Sequence, residues 1–141
     1  MIIRRIEKFL NEYEPEKEYI FEGALLHNPL FSILGFYDVT ERELLDFYKK
    51  IESVLSSAEY EIHLVCCDNI RNAIENAITS RKTQVVFGWQ EGFERWFCQS
   101  VNYKHYHGKE GIILFSTEIE CVENIILERV FSNFIKIKRE V

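Results

Sequence analysis

Glu22 ends a short apolar run, Tyr19-Ile20-Phe21, and precedes Gly23. A carboxylate at the end of a buried strand can order a magnesium shell or accept a proton from a substrate hydroxyl, because open α/β sheets hold ligands at the carboxyl ends of their strands. At the start of a surface loop the same carboxylate simply meets water. Further on, CDNIRNAIENAITSRK places Arg71 one turn into a helix and Arg81 at its end. Two such guanidinium groups can clamp phosphates bidentately, or they are solvated helix charges, with Arg81 favoured near the negative C-terminal end. From Trp89 to Lys109 aromatic and basic residues interleave, with Trp96, Tyr103, His105, Tyr106 and His107 between them. These rings are suited to stack on a base, and equally to line a core at helical spacing.

Metal and thiol chemistry find little to work with. Cys66 and Cys67 are adjacent, and neither they nor Cys98 with His105 and His107 make a C-x-x-C or another structural zinc spacing. No turn presents Cys98 as a nucleophile and no oxyanion donor is identifiable beside it.

Periodicity and caps define the elements that must position these groups. Ile2, Ile3, Ile6, Phe9 and Leu10 recur at helical spacing, and Pro15 closes that helix. Residues 19–21 read as a strand, Asn28-Pro29 as a turn and residues 35–38 as a loop. Thr40 and Glu43 fit a capping box before a helix with Leu44, Phe47, Tyr48, Ile51, Val54 and Leu55 on one face. EIHLVCC, residues 61–67, has the composition of a parallel strand buried on both faces. Asp68 is placed to cap the next helix, whose inner face is Ile70, Ala73, Ile74, Ala77 and Ile78. Trp89, Phe93, Trp96 and Phe97 predict another helix, and residues 102–111 a polar, glycine-containing loop. A second capping box, Thr117 with Glu120, introduces a helix with Ile119, Val122, Ile126 and Val130 inward. Residues 133–138 alternate and predict a last strand. Strands alternating with helices imply an α/β fold, a three-layer parallel sheet with helices on both faces and right-handed crossovers.

The 141 residues, 47% apolar and 14% aromatic, suit one well-packed domain spanning residues 1–141. A net charge of −6 with no basic block argues against nucleic-acid binding. No apolar run approaches the roughly 18 residues of a membrane span, so no membrane partner is expected. The N-terminus has the pattern of neither a signal nor a transit peptide. Four cysteines without a disulfide framework fit a reduced, cytoplasmic chain.

In order, the pieces are strand-EG-A-L-L-x-N-P, capped helix, strand-C-D, helix with R-x9-R, tryptophan helix, glycine-containing loop, helix and final strand. That order resembles the C-terminal part of the P-loop nucleoside and nucleotide kinase-like proteins, the thymidylate-kinase-type branch of P-loop NTPases, over residues 18–138. The resemblance implies that Glu22 is the acidic residue near the substrate hydroxyl, acting as base or magnesium-shell ligand. It implies that Asn28 begins the substrate-side segment and that Arg71 and Arg81 flank the lid as phosphate clamps. Trp89 to Gly111 becomes the lid and its continuation, bringing Trp89 and Lys109 to the nucleotide. ATP and Mg2+ are the cofactors of the complete family fold. The phosphate-binding loop G-x-x-x-x-G-K-[ST] is absent, since the only Gly-Lys pair, Gly108-Lys109, is followed by Glu110.

The expectation is therefore a truncated or split kinase-like protein. It transfers a phosphoryl group from ATP to a small hydroxyl-bearing substrate only when a phosphate-loop segment is supplied, and this chain alone needs no cofactor. The alternative is a non-catalytic binding or protein-interaction module. The missing phosphate-loop strand would leave residues 19–21 and 61–67 as neighbours in a three-stranded sheet, or leave an edge open to self-association.

Overall fold

The computed structural model describes residues 2–81, 88–98 and 107–139. Among the described residues six helices and two strands follow in the order α1 (Ile2–Glu12), α2 (His27–Phe36), α3 (Glu41–Leu55), β1 (Ile62–Cys67), α4 (Ile70–Ser80), α5 (Gly88–Phe97), α6 (Gly108–Val130) and β2 (Phe134–Arg139). The expected three-layer parallel sheet does not form. Among the described residues the sheet has two strands, and helix dominates.

The helices with the clearest apolar spacing form as their sequences dictate. At the start of α3 the Glu43 N–H donates to Thr40 Oγ1 at 3.2 Å, and the Thr40 N–H donates to Glu43 Oε2 at 2.8 Å. These reciprocal bonds satisfy two donors that the first turn otherwise leaves orphaned. Leu44, Tyr48 and Ile51 are the buried stripe of α3. At α4 the cap is Asn69 rather than Asp68: Asn69 Oδ1 accepts from the Asn72 N–H at 3.0 Å, while Asp68 pairs with Lys138.

Asn28-Pro29 does not mark a turn. It lies in the first turn of α2, where the missing proline N–H has no intrahelical acceptor to lose. Leu30 and Gly35 are then buried on the same helix. The second capping box also fails to start a helix. α6 begins at Gly108, and Thr117 sits inside it with its hydroxyl donating to the Ile113 carbonyl at 2.7 Å. The upstream residues Ile112, Ile113 and Phe115 are buried, so continuing the helix removes them from water. Of the expected loop at 102–111, residues 108–111 are the first turn of α6 and residues 102–106 lie outside the described set.

β1 pairs with β2 in parallel, with Leu64 opposite Lys136 and Val65 opposite Ile137. Residues 19–21 form no strand. Phe9 instead receives both Tyr19 and Phe21 edge-on, at 5.1 and 5.0 Å between ring centroids. Neither is β1 buried on both faces: Leu64 is buried while Val65 is 60% exposed. Leu64 joins Leu30, Tyr48, Ile51, Phe115, Ile119, Ile126, Leu127 and Phe131 in the core, so α2, α3 and α6 cover one side of the sheet. Ile2, Ile3 and Ile6 pack α1 against the same cluster.

Candidate functional site

Arg71 and Lys109 are 38 positions apart in the chain and come together where α4 meets the N-terminus of α6. Arg71 donates from Nη1 and Nη2 to the two oxygens of Glu110, each at 2.7 Å. Lys109 Nζ donates to Glu75 Oε1 at 3.2 Å, and the same oxygen lies 3.8 Å from Arg71 Nη1. Two cations and two carboxylates thus alternate across the helix pair. The hydrogen bonds from Arg71 hold the Glu110 carboxyl below its ordinary value, and those to Glu110 raise the guanidinium. A planar fork already engaged bidentately by a carboxylate offers a phosphate neither of its paired donors. The arrangement fastens α4 to α6.

The remaining expected site residues are separate from this network. Glu22 is exposed in the segment between α1 and α2. The Asn28 N–H donates to the Gly23 carbonyl at 3.0 Å, and its amide group stands 3.2–3.4 Å from where a Cβ on Gly23 would be. Asn28 therefore closes the turn into α2. Arg81 ends α4, exposed, its N–H donating to the Ala77 carbonyl at 3.0 Å. Among the described residues no hydrogen bond or ion pair joins Glu22, Arg71, Arg81 and Asn28 to one another. The side chain of Trp89 lies outside the described residues. Trp96 meets Phe36 edge-on at 4.7 Å and thereby packs α5 on α2.

The titratable groups that do converge from several elements were not among those expected. Glu123, on the inner face of α6, is buried, and its Oε1 lies 3.2 Å from Nδ1 of the half-exposed His27 on α2. Tyr48 reaches the same region from α3, its hydroxyl donating to the Leu25 carbonyl at 3.3 Å. Burial, then the charge of Glu123, pushes the Tyr48 phenol well above its ordinary value. One turn earlier on α6, burial raises the Glu120 carboxyl, helped by Glu123 and Asp68. Burial likewise raises the Cys66 thiol, with Glu120 adding to it and Lys136 opposing.

Raised values keep Cys66 a thiol and Tyr48 a phenol, so neither is an activated nucleophile. The chemistry open to this cluster is proton holding by Glu120 and structural pairing of Glu123 with His27. Among the described residues no three His, Cys, Asp or Glu side chains stand close enough to hold a metal ion, and all four cysteines are free thiols. A signal for Glu123 was present: it falls four residues after Ile119 and three before Ile126, on the inward stripe itself. Glu120 was absorbed into the capping-box reading of Thr117.

Comparison of the chain with family models, with curated proteins and with solved structures finds no significant match. No helix among the described residues is long and apolar enough to cross a membrane.

Proposed function

We propose that this chain is a non-catalytic protein-interaction module that associates with a second copy of itself through the outer face of the β1–β2 sheet. The carrying observation is the exposure of Val65, Ile135 and Ile137, at 60%, 45% and 41%, on one face of a parallel ladder. Val65 and Ile137 are register partners, and His63 stands opposite Ile135. Parallel strands ordinarily have both faces covered, so an apolar outer face is a surface with burial still to gain.

Charge favours a second copy as the occupant. The chain carries a net −6, and its acids repel one another over most approach directions. The nearest carboxylate in β1's own segment, Glu61, is paired with His63. Lys136 and Lys138 stand opposite Leu64 and Cys66, on the other face of the sheet, where Glu128 and Asp68 pair with them. Two copies can thus appose Val65, Ile135 and Ile137 without bringing the Glu61 carboxylates together unpaired. The phosphotransferase reading draws no comparable support, because Arg71 and Lys109 are engaged by Glu110 and Glu75.

Sedimentation across low to high micromolar concentration tests the proposal. The parent chain is expected to show a concentration-dependent dimer, and V65E/I137E is expected to sediment as a folded monomer. A parent that stays monomeric throughout, or a variant that dimerises as well as the parent, overturns it.

A further inference from the structure

The segment joining α1 to α2 displays a second surface, of different chemistry. Between residues 12 and 22 stand Glu12, Glu14, Glu16, Glu18 and Glu22, against the one cation Lys17. Lys17 Nζ is committed to Glu14 Oε1 at 2.7 Å, which leaves the other four acids without a cation in the segment. Between Glu18 and Glu22 stand Tyr19, Ile20 and Phe21, at 41%, 88% and 62% exposure. An isoleucine so exposed, flanked in the chain by two part-exposed aromatic residues, makes an apolar ledge in an acidic segment.

The ledge is held in place. Tyr19 and Phe21 both stack edge-on against Phe9 of α1, and Tyr19 meets Tyr13 at 6.3 Å. The Glu14 N–H donates to the Tyr19 hydroxyl at 3.2 Å, and the Lys17 N–H to the Glu14 carbonyl at 3.0 Å. Such anchoring lowers the ordering cost that a binding surface otherwise meets on association. Aromatic side chains pinned at one edge and open at the other are the usual anchors of protein interfaces.

We infer that this acidic, aromatic ledge docks a basic segment of another protein, one whose lysines or arginines meet the glutamates while its own apolar side chains cover Ile20 and Phe21. The charge selects among occupants. Nucleic acid and anionic membrane are repelled by four uncompensated carboxylates, and so is the same ledge of a second copy. The cations of α1, Arg4, Arg5 and Lys8, all precede Phe9 and leave the rim from Glu12 to Glu22 acidic. The inference rests on the reading of the chain as an interaction module but uses a surface distinct from the sheet face.

Fluorescence anisotropy with a labelled amphipathic peptide of Lys-Leu-Leu-Lys repeats, about 16 residues long, tests it against a Glu-for-Lys counterpart and against oligolysine. The basic amphipathic peptide is expected to bind the full chain and to weaken with salt. Ile20→Ser and the E16Q/E18Q/E22Q variant are each expected to weaken it about tenfold. Their thermal melts should match the parent, since all four side chains are exposed. V65E/I137E should bind as the parent does, so failure of the sheet-face proposal and of this one are separable. No binding, equal binding of the acidic peptide or of oligolysine, or unchanged affinity in either ledge variant overturns the inference.

Discussion

The guanidinium of Arg71 on α4 and the carboxylate of Glu110 on α6 face each other as two forks, joined by two hydrogen bonds of 2.7 Å. Both groups are solvent-exposed, so the pair works as a geometric clip between helices and is open to screening by salt. Arg71→Ala and Glu110→Ala are expected to lower the melting temperature slightly and by similar amounts. The double variant should lose little more than either single one, because both remove the same interaction. In high salt all three differences should shrink. Additive losses that persist in salt would show that the two residues act independently.

Glu123 and His27 form the more consequential pair. Removing His27 leaves a carboxylate with 8% of its side chain exposed and without that partner, and His27→Ala should cost about 1–3 kcal/mol in a urea melt. Glu123→Met removes the charge and keeps the volume, and should be nearly neutral or stabilising. If Glu123→Met costs more than His27→Ala, the carboxylate has further work beyond pairing.

Glu120 gives a pH dependence of definite sign. Its folded pKa is raised, by burial first and then by Glu123 and Asp68. The folded state therefore holds the proton more tightly than the unfolded one, and ionised Glu120 opposes folding at neutral pH. Glu120→Gln should stabilise the chain slightly at pH 7, since solvent screens this part-exposed group. That gain should decline as pH falls through the raised value and vanish below the unfolded value of about 4.3. A gain that grows toward acid would contradict the assignment. Denaturation midpoints between pH 4 and 8 read it directly.

Gly23 and Gly108 separate backbone strain from crowding. Both have positive φ, +64° and +69°, but only Gly23 has the Asn28 amide where a Cβ would go. Gly108→Ala should cost about 1–2 kcal/mol for the left-handed backbone alone. Gly23→Ala should cost more, and Asn28→Ala should relieve the excess. Equal costs at the two glycines would mean that Asn28 yields without penalty.

Much of the local structure was legible in the chain. Ile2, Ile3 and Ile6 announce α1, Thr40 with Glu43 announces α3, and the strands near residues 62 and 134 stand out by composition and alternation. These features depend on interactions within a few residues, and hydrophobic period and caps report such interactions. Even there, a local signal lost where burial opposed it. Thr117 has the spacing of a cap but sits inside α6, because Ile112, Ile113 and Phe115 belong to the core.

Partnership across the chain was decided only in three dimensions. That β1 takes β2 as its neighbour, while residues 19–21 lie on Phe9, depends on which surfaces the helices bring close. The same holds for two of the expected site residues. Arg71, expected as a phosphate clamp, and Lys109, expected at the nucleotide, both carry the charge for it, and the fold sets Glu110 and Glu75 against them. Residue type determines what a side chain can bind. Tertiary packing determines what it meets, because a contact between distant residues carries no periodicity and exists only once the elements between them have folded.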